Sequence, residues 1–539
     1  MTDYVYATLT NALGFTFLTF NDTFSILPSG GIINRSVAIV ATTNELGMQI
    51  RVAGDLEVDS VFLNGADFVT FSASANFYST TTVGAIRLGF QVGQTIFDNA
   101  GAITDVVGTA IVVGHSTNSI ANTGRILGNT AILLEPDADN TSLVNSGDIT
   151  AIKGDAISIF SAQNVLQNDG IIRATQSIAI DIFGQTLPAN SETITNNGTI
   201  ESAGFVAIQS VMNNGEAALV LHNTGTISGG VFSVIANGIS VDHVLNSGTI
   251  VGIISLGGGN DTYVGRGGLL SGDLEMGIGN DLVDLRGGSI TGIIEESGGN
   301  DTYFVDDATV RIFESFDPGL DQVFAATSFR LADNIENLTL LEAANYNGTG
   351  NTLANIITGN SGDNRLFGLE GNDSLAGDVG NDRLLGGLGN DNLNGGDGDD
   401  VLQGSTGNDT LAGGDGDDLL SGGLGRDNLT GGAGADVFVF SSLAQSGVII
   451  STFDTITDFT QGEDLINLSV IDAKSTNALP NDAFTFIGAA AFNNVAGQLQ
   501  ALQSSGSTFV EMDVNGDGIA DSIIRLTGLL TLNAADFVL

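Results

Sequence analysis

Aspartate recurs at a fixed spacing between Gly359 and Val439. Written in nines, this stretch reads GNSGDNRLF, GLEGNDSLA, GDVGNDRLL, GGLGNDNLN, GGDGDDVLQ, GSTGNDTLA, GGDGDDLLS, GGLGRDNLT and GGAGADVFV. Positions one and four are always Gly, and position six is Asp in every unit but the first, which carries Asn364. Position eight is Leu in eight units and Phe438 in the last. Carboxylates at such a spacing can bind divalent cations, provided that the units stack.

The spacing predicts how the units stack. If two units make one turn of a roll, units n and n+2 lie on the same side, and their position-six carboxylates meet. The two glycines permit positive φ in a tight loop, and the residues around position eight form a short strand with Leu pointing inward. Carboxylates together with glycine carbonyls suit Ca²⁺, which takes about six to eight oxygen ligands.

The candidate ligands are therefore the position-six carboxylates and the position-one glycine carbonyls. They are Asp373, Asp382, Asp391, Asp400, Asp409, Asp418, Asp427 and Asp436, with Gly368, Gly377, Gly386, Gly395, Gly404, Gly413 and Gly422. Pairing them two units apart predicts six Ca²⁺ sites and a weaker seventh where Asn364 faces Asp382. Residues 359–439 hold 15 Asp and Glu against three Arg, a net charge of −12 that six Ca²⁺ would cancel. Without metal the carboxylates would repel one another, and the roll should not close.

The nonapeptide is similar to the Ca²⁺-binding repeat of RTX proteins, G-G-x-G-x-D-x-U-x. The resemblance implies a parallel β-roll with bound Ca²⁺. The alternative is an acidic, Gly-rich disordered linker, but a linker would not keep Leu in register.

A second repeat, N-x-G-x-I, precedes the first. It begins at Asn99, Asn122, Asn145, Asn168, Asn196, Asn223 and Asn246. The intervals are equal except for the two longer ones on either side of Asn196. A period near 23 with several short strands per repeat predicts a parallel β-helix. In it the Asn side chains form a hydrogen-bonded ladder, the Gly takes a tight corner and the Ile fills the core.

The period then shortens slightly. Asp261, Asp281 and Asp301 lie in GGGNDTY, GIGNDLV and SGGNDTY, which read as single copies of the nonapeptide loop. We interpret them as further Ca²⁺ turns in the loops of residues 257–305, the alternative being that Gly-Asn-Asp is simply a good turn. Residues 513–521 have the first half of an EF-hand loop but Ile524 where its last Glu belongs, so we expect a hairpin turn there.

The chain after the nonapeptides resembles the C-terminal domain of serralysin-type secreted metalloproteases. The matching segments are FVFSSL from Phe438, DTITDFTQGEDLINL from Asp454 and ADFVL from Ala535. The resemblance implies that Asp536, followed by three apolar residues, ends an uncleaved signal read by a type I secretion exporter. It does not extend to proteolysis, because none of His115, His222 and His243 is followed by the Glu of H-E-x-x-H.

The predicted fold class is all-β: an N-terminal parallel β-helix, a Ca²⁺-bound parallel β-roll and a small C-terminal β domain. The expected domains are 1–90 (cap and first turns), 91–358 (β-helix), 359–439 (roll) and 440–539 (serralysin-like). With a net charge of −47, nucleic acid and anionic membranes are poor partners. We also expect neither disulfides, since cysteine is absent, nor membrane insertion, since no segment approaches the roughly 20 apolar residues of a membrane helix.

These features favour a secreted, extracellular or cell-surface protein without an N-terminal signal peptide. The first hypothesis is a structural or adhesive protein of surface-layer, matrix or adhesin type, whose partners would be its own copies or a cell-surface glycan. The alternative is a polysaccharide-modifying enzyme of lyase or epimerase type on the β-helix, for which catalytic candidates are scarce. A pore-forming toxin ranks third, because no long apolar or amphipathic helix is predicted.

Overall fold

The computed structural model describes residues 95–539, except 115–117, 184–190, 212–217, 316–318, 450 and 475–481, and only strands within 16–88. Strands make up 53% of the chain and helix 1%, so the predicted all-β class is confirmed. The chain divides into two compact units. The first unit holds residues 1–301 and 310–315, and the second holds 302–309 and 316–539. The domain boundaries predicted from sequence stay predictions.

The first unit is a parallel β-solenoid. One run of strands leads into the Asn of each repeat and pairs in register from turn to turn, as where Ser142 aligns with Val165. These strands are Thr23–Ile26, Gln49–Val52, Phe68–Phe71, Ile96–Asn99, Ser119–Asn122, Ser142–Asn145, Val165–Asn168, Glu192–Asn196, Leu219–Asn223, His243–Asn246, Thr262–Val264 and Leu282–Asp284.

The remaining strands of this unit form one larger parallel sheet. They are Thr16–Leu18, Ala38–Thr42, Asp55–Glu57, Ser60–Asn64, Asn76–Ser79, Ile86–Leu88, Ala102–Val113, Arg125–Leu134, Asp148–Ala151, Ile157–Ile159, Ile171–Ala174, Ile180–Phe183, Thr199–Ser202, Val206–Val211, Thr226–Asn237, Thr249–Ser255, Leu269–Ser271, Leu274–Gly277, Ser289–Ile290, Ile294–Glu296 and Ile312–Glu314.

The second unit stacks the nonapeptides as two parallel sheets. Each nonapeptide pairs with the next but one along the chain, as where Leu375 aligns with Leu393, which confirms the predicted n and n+2 stacking. One sheet holds Phe329–Arg330, Asn347–Thr349, Arg365–Glu370, Arg383–Leu388, Val401–Thr406, Leu419–Leu424, Val437–Val439, Leu465–Asn467 and Phe537–Val538. The other strands are Thr302–Val305, Gln322–Ala325, Asn337–Leu340, Ile356–Thr358, Ser374–Val379, Asn392–Asp397, Thr410–Asp415, Asn428–Ala433, Thr455–Ile456, Thr485–Phe486, Gln498–Ser504, Ser507–Asp513 and Ser522–Thr527.

The C-terminal segment completes both of these sheets. Thr455–Ile456 pairs with Asn428–Ala433, and Leu465–Asn467 pairs with Val437–Val439. A 3₁₀ turn, Ala534–Asp536, leads into the last strand, Phe537–Val538, which lies parallel to Leu465–Asn467. No helix among the described residues is long and apolar enough to cross a membrane.

The core follows the two repeat patterns. Every position-eight side chain from Leu366 to Phe438 is at most 1% exposed, which confirms that it points inward. In the solenoid, the Ile of each N-x-G-x-I repeat is fully buried. The repeat glycine allows the turns to lie against each other: a Cβ on Gly147 would stand 2.0 Å from the carbonyl oxygen of Gly124. The corner therefore requires Gly for close backbone approach.

The predicted asparagine ladder is confirmed. Each Nδ2 donates to the Oδ1 of the next repeat, as from Asn145 to Asn168 and from Asn168 to Asn196, both at 2.8 Å. The ladder also joins Asn99, Asn122, Asn223 and Asn246. Since all seven side chains are buried, each amide depends on its neighbours for hydrogen bonds.

Replacing Asn168 with Ala should therefore destabilise the first unit. The change removes the acceptor of Asn145 and a donor to Asn196, and leaving buried amide groups unsatisfied costs about 2 kcal/mol or more. The matched control is Asn197→Ala, because Asn197 is exposed. Urea denaturation followed by circular dichroism should show a clear decrease in the free energy of unfolding for Asn168→Ala and a small decrease for the control. Equal losses would mean that the ladder contributes nothing specific.

Candidate metal centres

The position-six carboxylates of the second unit form two columns. One column runs through Asp373, Asp391, Asp409 and Asp427, and the other through Asp382, Asp400, Asp418 and Asp436. Within a column, the backbone N–H of each residue donates to the Oδ1 of the residue one turn later. The nitrogen–oxygen distances range from 2.7 Å, between Asp382 and Asp400, to 3.0 Å, between Asp418 and Asp436.

Both columns extend beyond the nonapeptides. Asp427 donates its N–H to Oδ1 of Asp454, and Asp436 donates its N–H to Oδ1 of Asp464. The nonapeptide period does not predict these two residues, because longer segments separate them from their predecessors and break that period. Their signal is the pattern Asp-x-apolar within the serralysin-like segments.

The second oxygen lacks a partner in every column aspartate except Asp464, whose Oδ2 accepts the N–H of Thr460. The Oδ2 atoms are buried without a hydrogen bond in all eight predicted residues and in Asp454. The eight side chains are at most 2% exposed. Because a buried carboxylate oxygen without a partner is costly, each of these atoms requires a proton or a cation.

The position-one glycines provide the space beside that oxygen. A Cβ on Gly395 would stand 2.2 Å from Oδ2 of Asp400 and 2.5 Å from the carbonyl oxygen of Gly413. The same arrangement surrounds Gly368, Gly377, Gly404 and Gly413. The space that a side chain would fill is therefore lined by carboxylate and carbonyl oxygens, and this donor set fits Ca²⁺.

The reason predicted for the position-one glycines was wrong. None of those from Gly368 to Gly431 has a positive φ, whereas positions two and four do, as at Gly396 (117°) and Gly398 (135°). Position one needs Gly because a Cβ would meet the carboxylate. Position two holds a side chain at positive φ in Leu369, Asp378 and Ser405, so these three units carry backbone strain.

Burial raises the pKa of the column carboxyl groups. The pKa rises to about 7 in Asp400 and Asp409 and to about 8 in Asp454, with burial as the main cause. The hydrogen bond from the backbone N–H opposes the rise in each, and neighbouring column carboxylates add to it. Closing the roll without a cation would therefore require these carboxyl groups, which are ionised in the unfolded chain, to take up protons.

The first unit contains a shorter column of the same kind. The N–H of Asp242 donates to Asp261, that of Asp261 to Asp281, and that of Asp281 to Asp301, at 2.6–2.7 Å. The Oδ2 atoms of Asp261 and Asp281 are buried without a hydrogen bond. The space that a position-one glycine leaves beside the carboxylate in the roll is missing here. The equivalent residues, five before each aspartate, are Leu256, Met276 and Glu296.

Two glutamates of the first unit were missed by the sequence analysis. Glu296 and Glu314 align on neighbouring strands, and each is 3% exposed. Glu296 has a ligand atom within 4.8 Å of one in both Asp281 and Asp301. Burial, with these aspartates and Glu314 nearby, raises the pKa of Glu296 to about 11. The sequence feature that could have predicted Glu296 is a charged residue at a position that holds the apolar Leu256 and Met276 in the preceding turns.

The EF-hand-like loop and the histidines singled out in the sequence form no carboxylate column in the described part of the chain. Residues 513–521 are the predicted hairpin turn, in which Asp513 accepts hydrogen bonds from the N–H groups of Gly516 and Gly518. Of the histidines, His222 and His243 lie on the solenoid strands, and His115 lies outside the described residues.

Comparison with known families identifies the C-terminal part of the chain. Residues 346–539 match the family described as Peptidase M10 serralysin C terminal. This segment is a serralysin-type C-terminal domain. Both columns from Asn355 and Asn364 to Asp454 and Asp464 lie within it. A domain of this family is typical of secreted RTX-type proteins and generally binds Ca²⁺.

The chain is also similar to solved structures over part of its length. They include the solution structures of the AlgE6R3 and AlgE6R2 subunits of the Azotobacter vinelandii mannuronan C5-epimerase. AlgE6R3 is 28% identical over 28% of this chain and 78% of its own, with a TM-score of 0.21. AlgE6R2 is 29% identical over 27% of this chain and 89% of its own, with a TM-score of 0.20. A search of curated proteins found no match.

The raised pKa values predict that acid can replace the cation. The folded-state pKa of the column carboxyls exceeds the ordinary value of 3.8, and it is about 6 in Asp427, about 7 in Asp400 and about 8 in Asp454. Protonation therefore stabilises the cation-free roll fully below pH 4, and this stability is lost as the pH rises through 6 to 8. Chelator-treated protein should gain β-signal in circular dichroism between pH 8 and pH 5. A signal that stays flat on acidification would contradict the burial of these groups.

Proposed function

We propose that this protein is a secreted, Ca²⁺-binding structural or adhesive protein that folds when it meets extracellular Ca²⁺. The observation that carries the proposal is the pair of carboxylate columns whose second oxygens are buried without a partner. The ligands are the position-six aspartates, the position-one glycine carbonyls and, at the column ends, Asp454 and Asp464. Asp261, Asp281 and Asp301 extend Ca²⁺ binding to the first unit.

The mechanism is a folding switch. Ca²⁺ sites of extracellular modules have dissociation constants of about 10⁻⁴–10⁻³ M, so the columns stay empty and mutually repulsive at cytosolic Ca²⁺. The chain then passes unfolded through a type I exporter. In the folded protein, Asp536 is buried and caps the 3₁₀ turn, and Phe537 packs on Phe486 with ring centroids 5.0 Å apart. A signal at these residues is therefore accessible before folding.

A neutral face on the first unit supports the structural or adhesive role. The outward positions of six consecutive strands, from Ser119–Asn122 to His243–Asn246, carry no Asp, Glu, Lys or Arg. The neutral face consists of Ser119, Ala121, Ser142, Val144, Val165, Gln167, Thr193, Thr195, Val220, His222, His243 and Leu245. In a chain of net charge −47, such a face is the surface at which copies or a neutral glycan meet the least repulsion.

Replacing Asp391, Asp400, Asp409 and Asp418 with Asn should abolish the Ca²⁺-induced gain in β-signal. These changes remove two ligands from each column while keeping the side-chain shape. The matched control neutralises four exposed acids of the same repeats, by Glu370→Gln, Asp378→Asn, Asp397→Asn and Asp415→Asn. A Ca²⁺ titration by circular dichroism should respond in the control and not in the column variant. An unchanged titration in the column variant would overturn the site assignment.

Electron microscopy with about millimolar Ca²⁺ and with chelator tests the structural role. We expect ordered sheets or filaments only with Ca²⁺. The neutral-face variant Val144→Glu/Leu245→Glu should lose them, because it adds charge where copies meet. Val231→Glu/Val251→Glu adds the same charge at exposed positions of the other sheet and should keep them. Dispersed wild-type particles would contradict assembly and favour a monomeric adhesin or the polysaccharide enzyme, which a glycan-binding screen would separate.

A further inference from the structure

Glu296 is a buried acid inside the first unit. Its side chain is 3% exposed, and both carboxylate oxygens are buried without a hydrogen-bond donor. The place five residues before the column aspartate holds Leu256 and Met276 in the two preceding turns, and both are fully buried. In the strand register, a bulge pairs Glu296 with Gly277. The chain therefore replaces an apolar core residue with a carboxylate at this turn, and a lone buried carboxylate is costly.

Glu296 points at other carboxylates. Its ligand atom and those of Asp281 and Asp301 all lie within 4.8 Å of one another. Glu314 lies beside Glu296 on the next strand. Glu296 and Glu314 lie on the neighbouring strands Ile294–Glu296 and Ile312–Glu314, whereas Asp281 and Asp301 belong to the aspartate column. Glu314 also has a ligand atom within 4.8 Å of one in Asp301, so these four carboxylates of the first unit lie close together.

The charges that act on Glu296 are all negative. Asp301, Asp281 and Glu314 each raise its pKa, and no basic group of the described chain lowers it. The arginines of the neighbouring turns, Arg266 and Arg286, both bind Asp284. The charge that offsets Glu296 must therefore come from a proton or a cation.

We propose that Asp281, Glu296, Asp301 and Glu314 bind one Ca²⁺ ion in the interior of the solenoid. Four carboxylates have eight oxygens, two of which, Oδ1 of Asp281 and of Asp301, already accept backbone N–H groups. Up to six oxygens then match the oxygen-rich coordination of Ca²⁺, whereas Mg²⁺ keeps several waters and uses few carboxylates. The site differs from the roll in its ligands. In the roll, position one is a glycine that leaves space beside the aspartate, and here position one is Glu296, which supplies a carboxylate.

The ion would also have a structural consequence. It joins the corner that carries Asp281 and Asp301 to the strands that carry Glu296 and Glu314. These strands are the last of the first unit, so the ion would stabilise the final turn of that unit. This inference rests on the proposed Ca²⁺ binding by Asp281 and Asp301 and deepens it, but it requires no ion in the roll.

The test counts ions and locates them. Full-length wild type, Glu296→Met and Glu295→Gln are dialysed to equilibrium with ⁴⁵Ca²⁺ at saturation. Glu296→Met should bind one ion fewer per chain, and it should fold because Met276 fills the same position one turn earlier. Glu295→Gln removes the same charge from the neighbouring, outward residue and should bind the wild-type number. An equal number in wild type and Glu296→Met would overturn the proposal.

A second measurement separates the cation from a shared proton. Crystals grown with Ca²⁺ should give an anomalous peak among the four carboxylates in wild type and in Glu295→Gln, and none in Glu296→Met. The roll peaks serve as the internal standard for occupancy. Roll peaks without a peak at Glu296 would show that Glu296 and Asp281 share a proton, and the proposal would fail while the folding switch stood.

Discussion

Parallel stacking in register places each side chain directly against its equivalent one turn away, at a spacing of about 4.8 Å. Both repeat regions depend on this constraint, because a residue that recurs at one position of the repeat is stacked on identical side chains in the turns before and after it. An amide does so unaided: Asn168 accepts from Asn145 and donates to Asn196. A carboxylate can only accept, so the column of Asp391 uses a backbone N–H for one oxygen and leaves the other unpaired. The asparagine ladder therefore needs no added group, whereas an aspartate column needs a proton or a cation.

The glycines follow from the same constraint. In the solenoid, Gly147 is required because backbone lies on backbone, with the carbonyl of Gly124 where a Cβ would stand. In the roll, Gly395 is required because a carboxylate and a carbonyl oxygen occupy that place. Neither position needs positive φ. The roll positions that do need it are two and four, and position two accepts Ser405 at some cost in strain.

The sequence was sufficient wherever a residue repeats with a constant period. It predicted the all-β class, the stacking of every second nonapeptide, the asparagine ladder and the inward Leu, since each of these is a property of the period itself. It could not locate Asp454 and Asp464, because the intervening loops break the period while the three-dimensional column continues. Glu296 was missed for a different reason. Only the register against Leu256 and Met276 shows that it points inward, and that register depends on a local bulge at Gly277.

The carboxylate columns explain why part of the chain's negative charge is concentrated in the repeats. Elsewhere, like charges on a surface only weaken a fold. Here the repelling groups are the ones that must be brought together, so folding cannot proceed until their charge is neutralised. In the proposed folding switch, the free energy of Ca²⁺ binding therefore drives folding. The neutral face and the asparagine ladder of the first unit need no such neutralisation, and they supply the part of the solenoid whose cohesion is independent of the ion. In the proposed folding switch, the acidic columns close only once Ca²⁺ is bound, whereas the neutral face is uncharged with or without the ion.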